Sequence, residues 1–181
     1  MTKAKNLSAA ALMTALTVVG ALIRIPTPTA PITLQFFFTL TAGLLLGEKW
    51  GAVSQALYLL LGLIGLPVFT LGGGFSYVLQ PTFGFLLGLI PASAVAGALR
   101  KNPLPACLLA WAALYAVGLP YLHFLLGSPS LATTLKTGLF LFLPGDALKI
   151  FVTALLIPKL QKALNQQKPS PRGEGVPEGD G

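Results

Sequence analysis

Long apolar runs, separated by short clusters of Pro, Gly and single charges, fill the chain from Leu7 to about Leu164. The runs are rich in Leu, Ala and Gly and lack the apolar–polar alternation of barrel strands, so they predict an all-α membrane bundle and not a β-barrel. Six spans follow in order. Span one, residues 7–23, stops at Arg24 and the Pro26-Thr27-Pro28 stretch. Spans two and three, residues 33–47 and 51–66, flank a loop holding Glu48 and Lys49. An uncharged connection, residues 67–82, carries Gly72-Gly73-Gly74 and closes on Pro81. Span four is residues 83–99, ended by Arg100, Lys101 and Pro103; span five is residues 104–126, with a kink expected at Pro120. Span six, residues 139–160, is broken at Pro144-Gly145. Several runs are shorter than the about 20 residues of a full crossing, so tilt or local bilayer thinning is expected. Residues 1–164 thus form one six-helix transmembrane domain. Residues 165–181 (NQQKPSPRGEGVPEGDG) have no apolar periodicity and are expected to be a disordered polar tail.

Composition turns this pattern into an exclusion. Of 181 residues, 12 are Lys or Arg and 5 are Asp or Glu. Charged residues are 9% of the chain, against about 25% in an ordinary soluble domain. Hydrophobic residues reach 54% and the mean hydropathy is +0.78. That inventory cannot cover a water-soluble surface, which rules out a soluble enzyme. The net charge of +7 is not a nucleic-acid signature, because the bases stand singly or in pairs at the ends of apolar runs. Cys107 is the only cysteine. It excludes internal disulfides and Cys-ligated metal sites, and reads as a small buried apolar residue.

The bases also orient the chain. With a cytoplasmic N-terminus, the inner segments hold Lys3, Lys5, Lys49, Arg100, Lys101, Lys159, Lys162, Lys168 and Arg172, and the outer segments only Arg24 and Lys136. The positive-inside rule therefore places both termini in the cytoplasm of a multi-pass plasma-membrane protein.

Three of the five acids, Glu174, Glu178 and Asp180, lie in the tail, and Glu48 lies in a loop, which leaves Asp146 inside a span with Lys149. Each would cost about 2.5–3.5 kcal/mol at a helix centre. Their i,i+3 spacing puts them on one helical face, beside a helix break. Broken membrane helices expose backbone groups and a helix N-terminus to a cavity, so the pair marks a binding site; a bare ion pair neutralising two buried charges is the alternative. In the predicted topology the pair, the Gly72–Gly74 loop and Gln35 at the start of span two all fall at the outer end. That convergence points to capture of a small solute from outside. The Gly triplet lacks the Lys and Ser/Thr of a P-loop, and could equally be a flexible loop. Gln35 could be a helix-start hydrogen bonder. Tyr77 and Tyr115 either line the pocket or, like Trp50, Trp111, Tyr58 and Tyr121, anchor the interface. His123, the only histidine, has no second ligand or nucleophile in view and reads as an interfacial hydrogen bonder. In span one, Ala11 and Ala15 form a small-xxx-small pattern that admits a close helix neighbour, in this chain or another.

Several segments taken in order resemble one family. They are residues 10–15 (AALMTA), 31–35 (PITLQ), 42–47 (AGLLLG), 65–69 (GLPVF), Pro81-Thr82-x-Gly84, and Leu143-Pro144-Gly145-Asp146-x-x-Lys149. Over residues 7–163 the chain resembles the BioY family, the biotin-binding S components of energy-coupling factor (ECF) vitamin transporters. The resemblance implies biotin uptake by high-affinity capture from outside, with Asp146 and Lys149 holding the ureido ring. Gln35 and the Gly-rich loop around Gly73, with Gly74, match family segments that line or cover the site, and Tyr115 is the aromatic candidate from the residues themselves. It further implies a transmembrane coupling protein, contacted through Ala11 and Ala15, and two cytosolic ATPases. No Walker motif is present, so ATP would be used only by these partners, and no cofactor, metal or enzymatic activity is implied for the chain itself. Some relatives meet the biotin carboxylate with an Arg in span four, near Leu86 here. Backbone N–H groups of the Gly loop and Arg24 are the remaining candidates. A stand-alone ion-coupled carrier for biotin or another small vitamin, with Asp146 as its proton-sensitive group, is the alternative function. An intramembrane enzyme is weak, because no paired carboxylates, metal set or Ser–His pair can be assembled.

Overall fold

The computed structural model describes residues 3–25, 32–127 and 130–166. The chain is mostly helical. Helix α1 (Lys3–Leu22) leads into a two-stranded ribbon, β1 (Arg24–Ile25) against β2 (Ile32–Thr33). Then come α2 (Gln35–Leu46), α3 (Glu48–Leu63), a 3₁₀ turn (Phe75–Leu79), α4 (Phe83–Ala98) and α5 (Pro103–Leu125). Short α6 (Leu131–Leu135), a π turn (Lys136–Phe140) and α7 (Leu143–Gln166) complete the described chain. Helices α1 and α5 are each long and apolar enough to cross a membrane, and the α6–π segment with α7 forms a third candidate, bent by 41°. Helices α2 and α4 are apolar but shorter, at 12 and 16 residues.

Each of the six predicted apolar runs contains a helix, with bounds shifted by a few residues and three corrections to the predicted course. Glu48 and Lys49 do not sit in a loop: α3 begins at Glu48. One residue, Gly47, makes the whole α2–α3 turn, with φ 84° and its N–H bonded to the Gly43 carbonyl at 2.8 Å. A left-handed φ is open to glycine without a Cβ clash, and Glu48 in the first turn of α3 suits the positive end of the helix dipole. Second, span six does not break at Pro144-Gly145. Those residues lie in the first turn of α7, and the interruption falls at Leu141 and Phe142. Proline is tolerated in a first turn but cannot continue a helix arriving from upstream, because its ring opposes the carbonyl four residues back. Third, α7 runs on to Gln166, two residues into the segment read as tail. Residues 167–181, and the Pro26-Thr27-Pro28 stop and Pro31, lie outside the described residues. Helix α5 continues through Pro120 as a single element, and Cys107 is fully buried.

Small residues set the packing. Cβ atoms built on Gly43 and Gly97 would strike backbone, that of Ser93 for the first and of Gly47 and Glu48 for the second. Helix α4 therefore crosses α2 and the α2–α3 turn at close range. On its other side Gly88 faces Leu114, and Gly118 of α5 faces the Phe85 ring. Close backbone approach of this kind replaces the hydrophobic drive that lipid surroundings remove. Buried hydroxyls and one amide stitch the remaining helices. Thr14 of α1 donates to the Ser54 carbonyl (2.8 Å), Gln55 donates to Thr17 (3.3 Å), Thr39 donates to the Gln55 oxygen (3.1 Å), and Ser93 donates to the Thr39 carbonyl (3.1 Å). At the end of the bundle that holds the α2–α3 turn, Gln161 of α7 donates to the Leu44 carbonyl at 3.0 Å. The opposite end carries the ribbon, the residue 64–82 connection and the start of α7, and there the cavity opens.

Candidate functional site

A cavity of about 260 Å³ lies between α2, α4, α5 and α7. Its walls are apolar where helices supply them, with Phe36, Phe85, Leu86, Leu89, Leu114 and Phe142. Polar groups are few and specific, as in small-molecule sites generally: Gln35, Tyr115, Asp146, Lys149 and a set of threonines.

Asp146 and Lys149 are 4% and 8% exposed and form an ion pair, Nζ to Oδ1 at 2.9 Å. Helix α7 positions both: Asp146 lies in its first turn, where the helix dipole favours a carboxylate, and Lys149 follows one turn later on the same face. The second carboxylate oxygen is held by α5. Tyr115 donates its hydroxyl to Oδ2 at 2.6 Å, and Trp111 its indole N–H at 3.3 Å. An ionised carboxylate has about four acceptor positions, and these three donors occupy three of them. One position remains on the Lys149 side. Lys149 has three N–H donors and directs one at Asp146, so it can also donate to a ligand.

Gln35 completes the constellation from the first residue of α2. Its side-chain nitrogen is buried with no hydrogen-bond partner among the described residues. A buried donor left unmade costs about 1–3 kcal/mol, so an acceptor arriving in the cavity would recover that loss. The site thus offers one charged acceptor position and donors from Lys149 and Gln35, all against apolar walls. That set matches a compact neutral group carrying both N–H and C=O.

The structure brings four sequence-predicted site residues together: Asp146, Lys149, Gln35 and Tyr115 line one cavity. Gly73 and Gly74 are not on its wall. They shape the connection above it: a Cβ on Gly73 would collide with the Leu66 carbonyl, and the Gly74 N–H bonds the Gly62 carbonyl at 2.7 Å. Thr70 and Tyr77, on either side of the triplet, face the cavity instead. Burial holds the Tyr77 hydroxyl above the ordinary tyrosine range, and the positive charge of Arg24 pulls it the other way. Trp111 is a site residue that the sequence reading left among interface anchors. Its i,i+4 spacing to Tyr115 was the available signal, since it places both rings on one face of α5; their centroids lie 4.8 Å apart. His123 bonds Thr134 at 2.8 Å, joining α5 to α6. Ala11 and Ala15 are exposed on α1 and line a shallow groove with Leu57 and Leu61 of α3.

The Tyr115 contact carries a measurable share of the site's stability. Hydrogen bonds to charged groups contribute about 1.5–3 kcal/mol. Tyr115→Phe is expected to lower the melting midpoint of the detergent-solubilised, ligand-free protein, and Trp111→Phe to lower it less, because its bond is longer.

Comparison with known proteins places the chain among relatives. The sequence pattern of the BioY family matches residues 1–166. A biotin transporter BioY of Thermotoga maritima is 35% identical over 165 residues, covering 87% of this chain and 96% of that protein. A Lysinibacillus sphaericus protein, named a probable biotin transporter BioY, is 47% identical over 121 residues; that match covers 62% of this chain and 62%, just under two thirds, of the relative. Among solved structures, the S-component for biotin from an ECF-type ABC transporter superposes with a TM-score of 0.78 at 30% identity, covering 90% of this chain and 95% of that one. The helical arrangement and the sequence pattern therefore converge: the chain belongs to the BioY family.

Proposed function

We propose that this protein takes up biotin, capturing it at the outer side of the cell membrane as the substrate-specific S component of an ECF transporter. One observation carries the reading: in a BioY-family chain, the buried Asp146–Lys149 pair and Gln35, whose side-chain nitrogen has no partner among the described residues, line a single apolar cavity. A ureido ring presents N–H groups to the open position of Asp146 and a carbonyl oxygen to Lys149 and Gln35. The thioether ring and aliphatic chain suit the leucines and phenylalanines of the wall. BioY relatives are transporters, and this chain is a transport protein and not an enzyme.

The finer reading has six membrane-crossing helices with both termini cytoplasmic, which the distribution of Lys and Arg supports. Uptake would then depend on a transmembrane coupling protein and two cytosolic ATPases, since the chain has no Walker motif to use ATP itself. The exposed Ala11 and Ala15 on the α1–α3 groove supply a surface on which a partner helix can lie close. No cofactor enters this scheme.

Titration calorimetry of the purified protein with biotin tests the function directly. Binding tighter than about 1 μM, equivalent to about 8 kcal/mol, is expected; micromolar or absent binding overturns the reading. Co-purification with ATPase subunits, set against uptake by the chain alone, separates an S component from a stand-alone carrier.

A further inference from the structure

We propose that Arg24 is the residue that recognises the carboxylate of the ligand, an inference that rests on the biotin reading above. The cavity's own charges leave that role open. Among the described residues that line it, Lys149 is the one cation, and it is paired with Asp146. The wall at Leu86 is a buried hydrocarbon. A carboxylate pressed against such a wall without a partner would be strongly unfavourable. With the ureido ring on the ion pair, the carboxylate at the far end of the chain needs a partner other than Lys149. Residues 26–31 and 128–129, outside the described residues, contain no basic side chain.

Two separate relations put Arg24, itself exposed and off the cavity wall, beside lining residues. It stands directly opposite Thr33 in the β1–β2 ribbon, so the two side chains share a face, and Thr33 lines the cavity. Its guanidinium donates to the carbonyl of Thr70, a second lining residue. The contact to Thr70 uses one of five N–H donors. The planar fork that remains fits a carboxylate in a bidentate manner, which a lysine cannot reproduce. Lys136, the other basic residue near this end, makes no side-chain hydrogen bond to a lining residue among those described. Arg24 would then bind the ligand while still tying the ribbon to the residue 64–82 connection.

The test compares biotin with biotinamide, whose carboxylate is replaced by a neutral carboxamide, by calorimetry on the full-length purified protein. Wild type is expected to prefer biotin by about tenfold or more. Arg24→Gln should bind biotin only as well as biotinamide, with biotinamide affinity kept, and Arg24→Lys should retain part of the preference. Equal wild-type affinity for the two ligands overturns the inference and leaves the biotin reading intact. So does an Arg24→Gln protein that keeps the wild-type preference, or one that loses both ligands in parallel. Failure of wild type to bind either ligand overturns the biotin reading itself, and this inference with it.

Discussion

Asp146→Asn is expected to weaken biotin binding by about one to two orders of magnitude, the equivalent of one lost charge-assisted hydrogen bond. The same substitution should destabilise the protein by about 3–5 kcal/mol, because it leaves a buried ammonium without its counter-charge. Tyr115 and Trp111 add to the effect. Both donate to Oδ2, and an amide has only one oxygen to serve three donors. Lys149→Met should cost less stability, since Asp146 keeps both aromatic donors, yet it removes the cation that would meet the ureido oxygen. The informative protein is the double variant Asp146→Asn with Lys149→Met. Without either charge, no buried charge is left unpaired, so the melting midpoint should recover part of the way toward wild type while biotin affinity does not. Calorimetry and thermal melting on the same four proteins separate a ligand site from an ion pair that only neutralises itself. Wild-type biotin affinity in the double variant would show the second to be the case.

Gly97→Val should be the most damaging single change away from the cavity. A Cβ at this position meets backbone atoms of Gly47 and Glu48, and backbone at a one-residue turn cannot rotate aside as a flexible side chain would. Overpacking costs about 1–3 kcal/mol where the core can yield, and here the expected value lies at or above the top of that range. The displaced element is the start of α3, which carries Ser54 and Gln55 into their bonds with α1 and α2. The expected result is a melting midpoint lower by several degrees and a reduced yield of folded protein from membranes. Ala98→Val, one residue on and exposed, is the control and should melt like wild type.

These two sites differ in how legible they were. Asp146 and Lys149 stand out in the linear sequence because a charge within a hydrophobic run is costly whatever surrounds it. Gly97 does not stand out. Glycine and alanine are common in membrane helices, and nothing local separates the glycine at a helix crossing from the one facing lipid. Trp111 was missed for a related reason. An aromatic residue on an apolar helix serves as an anchor, a packing residue or a hydrogen-bond donor, and only its distance to a group 35 residues away decides which.

Properties that depend on local composition are readable from the chain alone. These are a chain too apolar for water, the approximate course of its helices, the uneven placement of its bases, and the pair of charges that needs a purpose inside the apolar body. Each follows from a transfer free energy or a backbone constraint that acts residue by residue. Tertiary structure decided what depends on approach between distant segments. It joined Gln35, Tyr115 and Trp111 to the Asp146–Lys149 pair and put the Gly72–Gly74 triplet above the cavity and not on its wall. It also brought Arg24 beside Thr33 and Thr70, and moved the helix interruption upstream of Pro144. Those outcomes rest on packing geometry and on hydrogen bonds between residues tens of positions apart, for which a linear pattern of polar and apolar residues carries no term.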